Sequence, residues 1–153
     1  AGFGTVVRCI GHGQHAAVVQ FIKGQWPCGE RNVLEKLGVK FHVMATGFTW
    51  NTQDKELDTT AANLAWQHAK EMLKDESLDL VLLDEITYML SYGYLDSEEV
   101  AAAIKNRPPM QHVIVTGRAC HRALLDIADT ISEVRPTKHA FEAGVKARIG
   151  FDY

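Results

Sequence analysis

The stretch Leu78-Asp79-Leu80-Val81-Leu82-Leu83-Asp84-Glu85, LDLVLLDE, decides the fold. Its unbroken apolar run reads as a strand buried on both faces, the habit of a central strand in a parallel sheet. The strand ends by presenting two adjacent carboxylates, Asp84 and Glu85. Folds that hydrolyse or transfer nucleotides end a strand this way to hold Mg²⁺, which keeps several waters and shares itself with substrate phosphates. The alternative is that both acids simply cap a helix beginning at Ile86. Four apolar residues directly ahead of the pair favour the metal. Yet no phosphate loop of the G-x-x-x-x-G-K-[ST] type occurs in the 153 residues, so the acid pair is either a decoy or one half of a site.

Outward from this strand, apolar runs alternate with helical patterns, the signature of βαβ units. Upstream, Phe3, Val6, Val7 and Ile10 form one helical stripe that Gly11 and Gly13 can end. A strand over Ala16–Gly24, a short helix within WPCGERNVLEKLG and a strand over Val39–Gly47 follow. From Asp54 to Lys74 the spacing predicts a helix whose inner face carries Leu57, Ala61, Leu64, Ala65, His68 and Met72. Downstream, helices are expected over Ile86–Tyr92 and Ser97–Asn106, then a strand over His112–Arg118 and a helix over His121–Asp129. Thr130–Lys138 reads as a further strand, and the tail adds a short one after Gly144. With no repeat or linker, residues 1–153 form a single α/β domain, doubly wound around a mostly parallel sheet.

Composition removes several function classes. Apolar residues make up 46% and charged residues 23%, the balance of a globular chain. A net charge of -3 with scattered basic residues argues against a nucleic-acid footprint. No apolar run approaches the roughly 20 residues of a membrane span. Three cysteines without C-x-x-C spacing suit a reducing, cytoplasmic setting better than a disulfide framework.

In doubly wound sheets, ligands bind beyond the carboxyl ends of the strands. That rule gathers Lys23-Gly24, residues 45–50, Asp84-Glu85 and Thr116-Gly117-Arg118 on one rim. Arg118 suits a phosphate or ribose contact. Arg8, at the end of the first helix, suits that role or the helix's own carbonyls, and spacing leaves both open. Phe48 and Trp50 flank Thr49 in a Gly-containing loop, and their i, i+2 spacing makes a flat apolar platform if the loop is extended. Folded back, they would instead be a lid on the core. His12 and His15 lack a third ligand at supporting spacing. Cys120-His121-Arg122 reads as a helix start, with Arg122 available to a partner, rather than as a nucleophile and base.

Taken together, VVQFIKGQWPCGERN, VMATGFTWNTQD, VLLDEITYML, VIVTGRACHR and VRPTKHAFEAGVKARIGFDY resemble the CobA/BtuR-type ATP:corrinoid adenosyltransferases of bacteria. The resemblance covers essentially all 153 residues, and Asn51, where this family is expected to carry an acid, is a small departure. It implies a sheet of P-loop NTPase (RecA-like) type. It also implies a Gly-rich, Lys-containing phosphate loop immediately before the segment matching AGFGTVVR, so the first strand and that loop are expected to be missing from this chain.

By the same resemblance, Glu85 is the Mg²⁺ ligand and Asp84 stands beside it. Phe48 and Trp50 occupy the lower face of the corrin ring and displace its lower axial ligand. Met44, Tyr88 and Tyr92 border the corrinoid, Arg8 and Arg118 contact ATP, and His139–Val145 border the nucleoside. A four-coordinate Co(II) is the easier species to reduce, and the resulting Co(I) attacks the ribose 5′ carbon and expels tripolyphosphate. A reduced flavodoxin-type donor and a homodimer are implied as partners. Two other readings stay open: another P-loop phosphotransferase or NTPase, which gives Phe48 and Trp50 no task, and a non-catalytic corrinoid-binding domain.

Overall fold

A computed structural model describes residues 1–22, 28–44 and 55–152. Four strands, β1 (Ala16–Gln20), β2 (Lys40–Val43), β3 (Leu80–Asp84) and β4 (His112–Val115), form one sheet in the order β2-β1-β3-β4. Every neighbouring pair is parallel. The two central strands are the two with continuous apolar runs. Alternation sends their side chains to opposite faces, and each face has its own core. Ala17, Val19, Val81 and Leu83 pack on one side with Trp66, Ile86, Met89 and Val100. Ala16, Val18, Leu80 and Leu82 pack on the other with Val6, Cys9 and Leu34.

The second face is covered by α1 (Gly2–Gly11) and α2 (Gly29–Lys36). The first is covered by α3 (Lys55–Lys74), α4 (Ile86–Ser91), α5 (Ser97–Lys105) and α6 (Arg122–Leu125). Helices on both faces of an all-parallel sheet make the doubly wound arrangement expected from the sequence. Asp96, one residue before α5, caps it by accepting from the amides of Glu98 (2.8 Å) and Glu99 (3.2 Å).

Four expectations are corrected. The inner face of α3 is turned by one residue: Asp58, Ala62, Ala65, Trp66, Ala69 and Leu73 are buried, while Leu57 and Leu64 are exposed. Trp66 decides the rotation. Its ring is the largest apolar surface on the helix, and its indole N–H finds the Glu99 carboxylate at 3.0 Å, so the buried ring leaves no donor unmet. Alanines at 62, 65 and 69 then let the helix lie close to the sheet.

The helix expected over His121–Asp129 stops at Leu125, because the amides of Ile127 and Ala128 reach back only three residues, to Leu124 and Leu125. Thr130–Lys138 forms no strand, and the tail has a short 3-10 turn, Ala140–Ala143, before Gly144 but no strand over residues 145–152 after it. A strand needs a ladder partner for its backbone groups. Residues 128–152 are exposed throughout and pair with no strand of the sheet. Pro136 also removes one donor from that run.

Replacing Trp66 by Ala is expected to cost about 3–5 kcal/mol in denaturant unfolding, whereas Leu64→Ala, two residues away on the exposed face, should change stability by less than about 0.5 kcal/mol. The reverse order would restore the face expected from spacing alone.

Candidate functional site

Strand order locates the site. From β1 the chain continues outward to β2, and from β3 it continues the opposite way to β4, so the crevice of the sheet opens between the ends of β1 and β3. The last residues of those strands, Gln20 and Asp84, are register partners. Gln20 Nε2 donates to Asp84 Oδ2 at 3.1 Å. From β4's side, Thr116 Oγ1 donates to Asp84 Oδ1 at 2.8 Å. Asp84 is thus buried, at 9% exposure, with one neutral donor on each carboxylate oxygen.

Glu85 follows with φ 61° and ψ 19°, the left-handed region that a side chain with a Cβ rarely enters. Its backbone N–H donates to Thr116 Oγ1 at 3.0 Å. Although Glu85 occupies the N-cap position of α4, its side chain makes no capping hydrogen bond. Asp84 spends both oxygens on Gln20 and Thr116, so the capping reading of the pair is not what the fold uses. Among the described residues the Glu85 carboxylate forms neither a hydrogen bond nor an ion pair. Burial pushes its pKa up, the neighbouring Asp84 charge adds to the rise, and Arg118 opposes it.

The loop after β4 is held as tightly. Gly117 has φ 136°, and a Cβ there would collide with Thr87 Oγ1. That buried hydroxyl donates to the Arg118 carbonyl at 2.7 Å, and Ala119 follows with φ 51°. Both described non-glycine residues with positive φ, Glu85 and Ala119, therefore flank this rim, as strained backbone does at functional sites.

Opposite the acids, α1 begins. Gly2 is so close to the sheet that a Cβ would come within 2.7 Å of Leu82 and 3.3 Å of the Thr116 methyl.

The structure thus gathers Asp84, Glu85, Thr116 and Arg118, and adds Gln20, which the sequence reading did not single out. The available signal was a polar residue closing the otherwise apolar run AAVVQ. Arg8 is not gathered: it is exposed in the last turn of α1, about 9 Å along the axis from Gly2. Met44 is buried in the core rather than on the rim. Tyr88 and Tyr92 stack along α4 at 6.2 Å between centroids, with Tyr94 a further 5.8 Å from Tyr92. Phe48, Trp50, Lys23 and Gly24 lie outside the described residues. His139–Val145 fall in the exposed tail.

His121 Nδ1 accepts from the Ala123 amide at 3.2 Å, confirming Cys120-His121-Arg122 as a helix start. His12 and His15 are exposed, and no cluster of three or more metal-ligating side chains occurs among the described residues. Surface hollows of 490 Å³ beside α5 and α6 and 340 Å³ along α3 are lined by neither acid. Their walls carry no strained backbone.

A model of the family described as "ATP:corrinoid adenosyltransferase BtuR/CobO/CobP" matches residues 1–153. The chain belongs to this family. It is 64% identical over 153 residues to the corrinoid adenosyltransferase of Escherichia coli K12, a match covering 100% of this chain and 78% of that protein. It is 62% identical over the same span to the corrinoid adenosyltransferase CobA of Salmonella typhimurium LT2, with the same coverage. A corrinoid adenosyltransferase of Pseudomonas aeruginosa is 44% identical over 155 residues, covering 100% of this chain and 76% of that protein. The four-stranded parallel sheet flanked by helices is consistent with the P-loop NTPase-like fold of the adenosyltransferase family.

The raised Glu85 pKa has a thermodynamic sign. An acid that titrates higher in the folded than in the unfolded state weakens folding as pH rises from its unfolded to its folded pKa, and the loss persists above. Glu85→Gln is therefore expected to raise the Tm at pH 7 in metal-free buffer, with the gain vanishing toward about pH 4, where the unfolded carboxylate protonates. Thermal unfolding in chelator across that range measures it. A Gln variant less stable at pH 7 than at pH 4, relative to the parent, contradicts the repulsion.

Proposed function

We propose that this protein transfers the 5′-deoxyadenosyl group of ATP to the Co(I) of a corrinoid and releases tripolyphosphate. The observation that carries the reading is the family match along the whole chain, joined to an acid pair at the sheet's switch point.

The donor set fits Mg²⁺. Glu85 offers a half-buried carboxylate with no hydrogen-bond donor among the described residues, and Asp84 stands next to it, fixed from both sides. Two carboxylates with room for water and phosphate oxygens suit this ion. Glu85 would hold it, with Asp84 beside it, and a bound Mg²⁺ would stabilise the negative charge that collects on the triphosphate. The Arg118 guanidinium would take phosphate oxygens.

In the transfer, the electron pair of the substrate's Co(I) forms a bond to the ribose C5′ as the C5′–O bond breaks. The leaving triphosphate keeps that oxygen and its electrons. No proton moves at the reacting atoms, so the site needs orientation and electrostatics rather than a general base. Phe48 and Trp50 supply apolar bulk under the corrin ring, excluding water and offering no donor atom, so that Co(II) loses its axial ligand and accepts an electron more readily. Tyr88 and Tyr92 border the corrinoid. Met44, in the core, and Arg8, away from the rim, are left out of the contacting set. A reduced flavodoxin-type donor, a homodimer and a cytoplasmic setting complete the proposal. No helix among the described residues is long and apolar enough to cross a membrane.

The test supplies chemically reduced Co(I) corrinoid and MgATP and follows the light-sensitive cobalt–carbon bond. Adduct with tripolyphosphate is expected, while orthophosphate without adduct points to a phosphotransferase or NTPase instead. Glu85→Gln should lower the rate about 10²–10³-fold, the scale of losing one electrostatic contact to a transition state. Trp50→Ala should impair the reaction from Co(II) plus reductant at least about 10-fold more than that from preformed Co(I), a barrier difference of about 1.4 kcal/mol. Equal losses in the two assays would remove the lower-face role.

A further inference from the structure

We propose that Thr116 is a positioning residue that sets the geometry of the acid pair through its single hydroxyl, with Gln20 as the second arm of the same clamp. The inference rests on the Mg²⁺ site proposed above. A hydroxyl has one proton to give and lone pairs to accept with. Here the proton goes to Asp84 Oδ1 at 2.8 Å, and a lone pair receives the Glu85 N–H at 3.0 Å. One atom thus fixes the side chain of the first acid and the backbone of the second.

The second contact matters because Glu85 is in the left-handed region, at φ 61°. Such a conformation persists only where its surroundings over-determine it. The Thr116 hydroxyl supplies one constraint by capturing the amide, and the first hydrogen-bonded turn of α4 supplies another. Thr116 is itself fixed: its amide donates to the Leu83 carbonyl at 3.1 Å, extending the β3–β4 ladder, and its methyl faces Gly2 at the start of α1. Gln20 fixes the other Asp84 oxygen from β1, so β1, β3 and β4 all converge on one carboxylate. Neither Thr116 nor Gln20 brings a charge. They leave the negative charge of the pair intact for a cation while removing its freedom to turn, the task that outer hydrogen-bond partners perform for metal-ligating carboxylates.

The test compares the parent with Thr116→Val, which keeps the shape and removes the hydroxyl, and with Thr116→Ser, which keeps the hydroxyl. Gln20→Met removes the second arm, and Glu85→Gln is the control for the metal site. MgCl₂ is titrated at fixed saturating ATP, and the Mg²⁺ half-point is read twice, from the rise in Tm and from the initial rate with Co(I) corrinoid. Thr116→Val is expected to raise both half-points about 10–100-fold with the KM for corrinoid unchanged, and Thr116→Ser to stay within about twofold of the parent. A variant that merely loosens the fold lowers the Tm at every Mg²⁺ concentration and leaves the half-point in place, and that result for Thr116→Val overturns the proposal. If Thr116→Val does not fold, Gln20→Met decides: a raised half-point supports the clamp, and a parental one overturns it. If Glu85→Gln leaves the Mg²⁺ half-point unmoved, the metal reading of the acid pair fails and the clamp falls with it.

Discussion

The Asp84 carboxylate is the point on which the rest of the rim depends. It closes the most deeply buried strand of the sheet, where a charge without partners would be costly. Its partners come from either side, Gln20 at the end of β1 and Thr116 directly after β4, so its placement requires β3 to sit between these two neighbours. Once Asp84 is fixed, the chain turns through Glu85 and starts α4. The same hydroxyl that secures Asp84 holds the Glu85 amide, and the loop after β4 bends through Gly117 and Ala119 around the Thr87 hydroxyl. Sheet order, strained backbone and site are consequences of one another.

How much of this was legible in the sequence varied with the range of the forces involved. β1 and β3 were readable because strands buried on both faces need long apolar runs, and the acid pair stood out at the end of one. The face of α3 was not, because Ala61, Ala62, Ala65 and Ala69 allow two neighbouring stripes. The choice falls to Trp66 and its contact with Glu99, 33 residues away. Thr130–Lys138 has strand-like residues, but a strand exists only through its ladder partner, which a local pattern cannot supply. Gln20 escaped notice for a similar reason, since a single amide at a strand end gains meaning only from the register that sets it opposite Asp84. The rim was legible as a list of strand ends, while Arg8 fell off it because a helix that starts at the rim carries its later residues away.

Family membership and geometry contribute different things to the functional reading. The match along the chain supplies the chemistry. The geometry supplies the division of labour between two adjacent acids, one enclosed by neutral donors and one left with its carboxylate unclaimed among the described residues. Neighbouring carboxylates repel, and the upward push on the Glu85 pKa records that repulsion together with burial. A protein keeps such an arrangement against its own stability when something else is gained from it.

The β1–β3 pairing also bears on how the molecule assembles. β1 pairs with β2 across 23 residues, Ala17 opposite Lys40, but with β3 across 64, Gln20 opposite Asp84. Closing the longer loop carries about 0.9 kcal/mol more entropy than closing the shorter one, and contacts distant in sequence slow folding. Gln20–Asp84 and Asp84–Thr116, separated by 64 and 32 residues, are therefore among the contacts that a partly folded chain completes late. A chain that has joined only β1 to β2 has neither bond of the clamp. The rim, with its paired acids, is therefore assembled only once β1, β3 and the segment after β4 have all come together.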